Sequence, residues 1–270
     1  MSLSLTRSAR RRTLDGVDLI GEAASFSGSA VRGVIDGRVR IYGREVLRQA
    51  RILITGSVLV LLGMVFALGL VAGIQGAYAA RSLGAPSVAG AFAALSDLRE
   101  MGPYAFGYMM AAKVSTGFVA ELGTMRISDE IDALDVMGID STLYLCSTRL
   151  LATWLVLPFV FAIAIFVSFA ASYLAVVVQI GDVSGGGYLE LFWKFQSPID
   201  FLFSGIKGMA MSTFVVLVGC YYGYTVRGGA VEVGRATARA MIVNLAGIHV
   251  IGILGSQLFW AGNARLPIGG

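Results

Sequence analysis

Long uncharged stretches of this chain alternate with short polar ones. Ile52 to Gly76 holds no charged residue over 25 positions, and Leu150 to Gly181 holds none either. A bilayer core about 30 Å thick needs about 20 apolar residues in a helix, so both stretches predict transmembrane helices. Met101–Ala120, Gly208–Val226 and Ala240–Gly262 are read the same way. The predicted fold class is an all-α integral membrane protein. It comprises an N-terminal amphipathic interfacial helix, five transmembrane helices (52–76, 101–120, 150–181, 208–226 and 240–262) and one short helix outside the bilayer at 127–138.

The pattern divides the chain into an interfacial segment, 1–51, and a transmembrane domain, 52–270. In the first, Leu14, Val17, Ile20 and Ala24 recur at helical spacing, with Asp15, Asp18 and Glu22 between them. Arg32, Arg38, Arg40, Arg44 and Arg48 follow. This suits a helix lying on the membrane surface with its arginines toward anionic head groups; a solvated helix fits the same pattern. Residues 77–100 are expected to form a connection, partly helical at most, and Asp182–Asp200 a glycine-bearing polar loop. Gly69 and Gly73, and then Gly107, Ala111 and Ser115, are four-residue repeats of small side chains that permit close helix contact. Lys113 interrupts the second span and is expected to face protein or to snorkel.

Composition agrees: 56% of residues are hydrophobic and 14% charged, where soluble domains carry about 25% charge. Ten of the 21 Lys and Arg lie in residues 1–51. Basic residues remain on the cytoplasmic side, so the N-terminus is expected inside. Five spans then put the C-terminus outside. Arg126, Arg149, Arg227, Arg235 and Arg239 fall inside on this count, and Arg81, Arg99, Lys194 and Arg265 outside, with Lys207 near the outer edge. The apolar spans argue against nucleic acid as the partner of the basic end. No short apolar core with a cleavage site follows the first arginines, so no signal peptide is expected.

Little catalytic chemistry is visible. Cys146 and Cys220 have no metal-ligand spacing, and His249 is the sole histidine. There is no phosphate-binding G-x-x-x-x-G-K-[ST] loop. The chain is expected to be no enzyme and to hold no metal or cofactor. The nearly charge-free spans and the lack of an internal repeat argue against an ion-coupled secondary transporter.

One polar stretch is unusual. ELGTMRISDEIDALDVMGID, Glu121 to Asp140, holds six of the chain's 17 acidic residues. Ser128 is a suitable N-cap, Asp129 and Glu130 suit the positive end of a helix dipole, and Gly138 suits a C-terminal stop. Ile127, Ile131 and Leu134 share a face, with Asp132 and Asp135 elsewhere. The expectation is a short amphipathic acidic helix on the cytoplasmic side.

The same stretch resembles the signature of the MlaE/YrbE permeases, membrane subunits of ABC transporters that work with MCE proteins. Leu98-Arg99-Glu100-Met101-Gly102-Pro103 is similar to another motif of that family. So are Ser184-Gly185-Gly186 with Tyr188, Cys220-Tyr221-Tyr222-Gly223, Gly228-Gly229-Ala230 and Val233-Gly234-Arg235-Ala236-Thr237. The resemblance covers roughly residues 45–240. Lys113 stands where the family often has arginine, and Ser141 where it usually has proline.

The resemblance implies a permease moving lipid across the envelope of a bacterium from its plasma (inner) membrane. A separate ABC ATPase would bind ATP and Mg and dock on 121–138, with Glu121, Gly123, Arg126, Asp129, Glu130, Ile131, Asp132, Leu134 and Asp135 as coupling residues. A second permease subunit, identical or a sister, and MCE-domain proteins on the outer side complete the implied assembly. Phospholipid, fatty acid, mycolic-type lipid or sterol are the implied cargoes. The long basic N-terminal end and Val226-Arg227-Gly228-Gly229-Ala230 incline toward the mammalian-cell-entry type. Arg99 and Glu100, adjacent charges at a span boundary, are either exposed interface anchors or part of a lipid path. A membrane scaffold that assembles MCE proteins without transport is the alternative function.

Overall fold

A computed structural model describes Asp18 and residues 21–262. No strand occurs among them. Helix α1 spans 21–35. A 3₁₀ turn, Arg38–Tyr42, leads into α2, Gly43–Ser82. After a short bend, α3 (Ala89–Ser96), α4 (Gly102–Met109) and α5 (Thr116–Ile127) follow one another. They are joined only by π turns at Asp97–Met101 and Met110–Ser115, so helix is unbroken over 89–127. The short α6 is Glu130–Val136. Then come α7 (Thr148–Tyr173, with π turns at both ends), α8 (Gly185–Lys194), α9 (Pro198–Tyr224) and α10 (Ala230–Trp260).

Four of these helices, with their flanking turns, are long and apolar enough to cross a membrane: Arg38–Ser82, Leu143–Ile180, Pro198–Tyr224 and Ala230–Trp260. The stretch expected to span at 101–120 lies within the helical run 89–127. The two π turns divide that run into three shorter α-helices.

Polarity is arranged as a lipid environment demands. Leu59, Phe159, Ile242 and Leu258 face outward. Asp97, Arg149, Asp200, Lys207 and Asn244 are buried. These charged and amide groups face the protein interior, where partners replace water. Small residues bring the backbones together. A Cβ on Gly69 would lie 2.6 Å from the Ser168 carbonyl, and one on Gly73 2.9 Å from Ser172 Cα. Ser172 Oγ donates to the Gly69 carbonyl at 2.8 Å across this α2–α7 seam. Likewise Gly107, Ala111 and Ser115 lie in packed positions, with Asn244 Nδ2 of α10 donating to Ser115 Oγ at 2.8 Å.

Several sequence boundaries are corrected. The first membrane helix begins at Gly43, so the division between 1–51 and 52–270 cuts through α2, and Arg44 and Arg48 belong to that helix. Leu14, Val17 and Ile20 lie outside the described residues. The connection expected over 77–100 shrinks to 83–88, because α2 continues to Ser82 and helix resumes at Ala89. The glycine-bearing loop is mostly α8. Ser184 Oγ accepts from the Gly187 N–H at 3.2 Å and caps the helix despite its glycines. The helix that holds the predicted span 208–226 starts at Pro198, ten residues before the charge-free part, because its Asp200 and Lys207 are paired inside the bundle. Lys113 is exposed.

Candidate functional site

At one end of the bundle α5 turns into α6 through two residues. Ser128 ends α5, its hydroxyl donating to the Thr124 carbonyl at 2.9 Å. Asp129, not Ser128, occupies the N-cap of α6, with φ of 57°. A side chain in the left-handed region is tolerated mainly for Asn and Asp. It reverses the chain there without a longer loop. The C-terminal stop is where the sequence puts it. Gly138 has φ of 77°, its N–H donates to the Asp135 carbonyl and that of Ile139 to the Leu134 carbonyl, each at 3.0 Å. This is the Schellman arrangement.

The apolar face of α6 is turned onto the protein itself. Ile131 is fully buried in the core and Leu134 packs partly against it. Asp129, Glu130, Asp132 and Asp135 are exposed. Arg126 Nη1 lies 2.5 Å from Asp132 Oδ1, and its guanidinium sits over the Tyr224 ring of α9. Asp135 Oδ1 accepts from the Ser141 N–H at 3.3 Å, and Ser141 Oγ bonds the Tyr224 hydroxyl at 2.7 Å. Asp140 accepts from the Leu143 N–H at the start of the α7 segment and pairs with Arg38 before α2. The acidic turn is thus fastened to α2, α7 and α9.

The turn presents one feature absent from the amphipathic pattern. Val136 and Met137 are 88% and 66% exposed beside the acids. Two large apolar side chains and four carboxylates share one protruding tip.

Glu121 and Gly123 lie apart from this tip, on α5. Glu121 pairs at 2.8 Å with Arg149, whose side chain is only 2% exposed. Arg149 also donates to the Leu145 carbonyl and sits over the Phe118 ring. A Cβ on Gly123 would meet Val233 Cγ1 of α10 at 2.9 Å. The two residues hold α5 against its neighbours.

The opposite end of α9 carries a second cluster. Arg99 and Glu100 lie in the π turn Asp97–Met101 and do not form an exposed pair of anchors. Arg99 Nη2 is 2.8 Å from Asp200 Oδ2, with the side chains 12% and 2% exposed. Asp200 Oδ1 also accepts from Trp260 Nε1 at 2.8 Å. Glu100 Oε2 is 2.7 Å from Lys207 Nζ, whose side chain is wholly buried. Lys207 further donates to the Arg99 carbonyl at 2.9 Å and to Ser256 Oγ at 2.7 Å. All three of its protons are used. The wider π turn presents carbonyls that side chains of α9 fill, Ser204 Oγ bonding that of Leu98.

Asp200, Lys207 and Trp260 are the partners that periodicity missed. The available signal was two charges seven residues apart, on one face of an otherwise apolar helix. His249 is exposed on α10, its ring nitrogens 2.8 Å from the Leu245 carbonyl and 3.0 Å from the Tyr108 hydroxyl. Among the described residues no group of His, Cys, Asp and Glu is arranged to hold a metal.

Known proteins with similar sequences bear on this arrangement. A family described as Permease MlaE matches residues 46–258. The chain is 28% identical to a probable ABC transporter permease of Rickettsia bellii, over 96% of this chain and 99% of the relative. It is 28% identical to a probable ABC transporter permease of Synechocystis, over 92% and 93%. It is 31% identical to the chloroplastic protein trigalactosyldiacylglycerol 1 of Arabidopsis thaliana, over 64% of this chain and 49% of that one. The four apolar helices and the match over most of its length make this chain a multi-pass membrane protein of the MlaE family of ABC transporter permeases.

Proposed function

We propose that this chain is the lipid-moving membrane subunit of an MCE-system ABC transporter, driven by a separate ATPase that docks on the α6 tip. In this reading the helical run 89–127 supplies a fifth crossing, the N-terminus is cytoplasmic and the C-terminus lies outside a bacterial inner membrane. The chain pairs with a second permease subunit, identical or a sister, and MCE proteins receive or deliver lipid on the outer side. ATP and Mg belong to the ATPase.

The observation that carries the reading is the tip itself. An apolar face already buried in the permease leaves Val136 and Met137 exposed beside Asp129, Glu130, Asp132 and Asp135. Exposed apolar residues rimmed by charge suit a protein interface, and a soluble motor is the partner that an ABC permease requires. Leu134 and Ile131 support the tip from within. Lipid as cargo is supported by an apolar cavity of about 630 Å³ between α7 and α9, lined by residues such as Trp154, Phe161, Phe201 and Met209. It is supported also by a relative whose name contains a galactolipid.

Reversing two charges, Asp132→Lys with Asp135→Lys, puts like charges against a basic groove. The variant should insert normally and lose the ATPase on purification at low salt, whereas added salt should weaken the wild-type contact and relieve the variant's repulsion. Met137→Asp should also lose the ATPase, by placing a charge in an apolar contact. ATPase retained by both variants, with lipid-stimulated hydrolysis intact, would refute docking at α6. Hydrolysis indifferent to lipid in the intact wild-type complex would instead favour a scaffold.

A further inference from the structure

A trough lies between α9 and α10, at the end where those helices join. One stripe of α10 faces it: Glu232, Ala236, Arg239 and Val243, at helical spacing. Across from that stripe lie Phe214, Val218, Tyr222 and Thr225 of the α9 side. The trough has two adjacent parts, with Tyr221 and Tyr222 in the lining of both.

The deeper part, about 400 Å³, is apolar and is roofed by Ala23, Ala24 and Ser27 of α1. Phe26 fixes that roof, its ring 5.7 Å from Tyr221 and 5.3 Å from Tyr224. The mouth, about 240 Å³, is of mixed polarity and carries Arg227 and Arg239. Glu232 is the one acid lining the mouth, and Arg235 Nη1 already holds it at 2.5 Å. Arg227 and Arg239 form no ion pair among the described residues.

We infer that an anionic phospholipid of the leaflet at this end of the bundle binds here, as a resident lipid distinct from the transported one. An acyl chain lies in the deep part under α1, and the phosphate meets Arg227 and Arg239 at the mouth. The chemistry fits an amphiphile and nothing simpler. A free anion has no use for the apolar part, and a sterol has no charge for the arginines. The deep part falls within the range of about 300–1,000 Å³ typical of ligand pockets. The depth order is also right: polar groups sit at the helix ends, where head groups lie, and apolar ones toward the bilayer centre. The occupant joins three separate pieces, α1, the α9–α10 bend and the flank of α9. The inference rests on α9 and α10 spanning the membrane and is independent of where an ATPase docks.

The test uses the full-length chain in detergent micelles and native mass spectrometry. Phosphatidylglycerol and phosphatidylcholine with the same acyl chains are titrated in parallel. Wild type should prefer phosphatidylglycerol. Arg227→Gln with Arg239→Gln should weaken that binding by roughly thirtyfold, the effect of removing two cations beside an anionic lipid. Arg227→Lys with Arg239→Lys should retain most of the preference, which separates charge from a folding defect. Ala24→Trp, which fills the deep part, should lower the occupancy of both lipids. Equal binding of the two lipids by wild type would overturn the proposal. So would an unchanged affinity in the glutamine variant, or full occupancy with Trp at position 24.

Discussion

Replacing Asp200 with alanine probes the buried charge cluster most directly. The change removes the carboxylate that accepts from Arg99 Nη2 and from Trp260 Nε1. Both side chains of the ion pair are largely shielded, so solvent supplies little compensation. Breaking a buried ion pair from one side costs about 3–5 kcal/mol, and an indole N–H deprived of its acceptor costs about 1–3 kcal/mol. The two losses share one site and do not simply add, so about 4 kcal/mol is expected. For a chain of this size that lowers the unfolding temperature by on the order of 10 °C. The assay is thermal unfolding of the purified chain in lipid nanodiscs. A second variant isolates the charge. Arg99→Met with Asp200→Leu removes both partners and should regain most of the loss, since an apolar replacement of a buried pair is often neutral. A shift of Asp200→Ala below about 1 kcal/mol, the range of solvent-exposed pairs, would refute the buried-pair argument. So would a double variant no better than the single one.

Three further expectations follow from packing. Gly69→Val should push α2 away from the Ser168 backbone and cost about 1–3 kcal/mol, while Gly63→Val, where nothing lies within 4 Å, should not; unfolding in nanodiscs distinguishes them. Ile131→Ala should cost about 2–5 kcal/mol because that side chain is fully buried, whereas Met137→Ala should leave stability unchanged and weaken only ATPase retention on purification. Cys146 and Cys220, both buried, should resist a water-soluble maleimide in the folded protein and react in denaturant, and mass spectrometry of the labelled chain reads the difference.

The long apolar helices α2 and α7 are legible because nothing but lipid explains so many uncharged residues in a row. Their ends are less legible. Gly43–Arg51 and Pro198–Lys207 carry charges, and a span drawn from apolar residues stops short of them. In α9 the charges are inside the protein, where Arg99, Glu100 and Trp260 from other elements meet them. No local pattern announces a partner a hundred residues away. Helix α8 was hidden for another reason. Three consecutive glycines argue for a loop, and only the Ser184 cap with the aromatic residues after it argues otherwise. The π turns are invisible to a period of 3.6, because each shifts the facing residues partway through an apparently continuous helix. At the acidic turn, Gly138 and Ile131 behave as their residue types predict. The start of α6 falls one residue later than Ser128 because Asp129 itself takes the left-handed conformation. Val136 and Met137 were unreadable as a surface, since apolar residues beside an amphipathic face look like more of the same face.

At the end of α2, Arg81 bonds Asp182 and ties that end to the segment before α8. That hydrogen bond holds the Asp182 carboxyl below its ordinary value.

The bend between α5 and α6 has a mechanical consequence. Only Ser128 and Asp129 separate the two helices, and the Arg126–Asp132 pair bridges them. Such a joint has almost no slack. A load applied at the tip travels along α5 as through a stiff rod. It also branches, through Asp140 into the start of α7 and through Ser141 and Tyr224 into the end of α9. A long glycine-rich hinge would absorb such a load in its own bending. Under the proposed docking, this joint would pass a displacement at the tip to α5, α7 and α9 together.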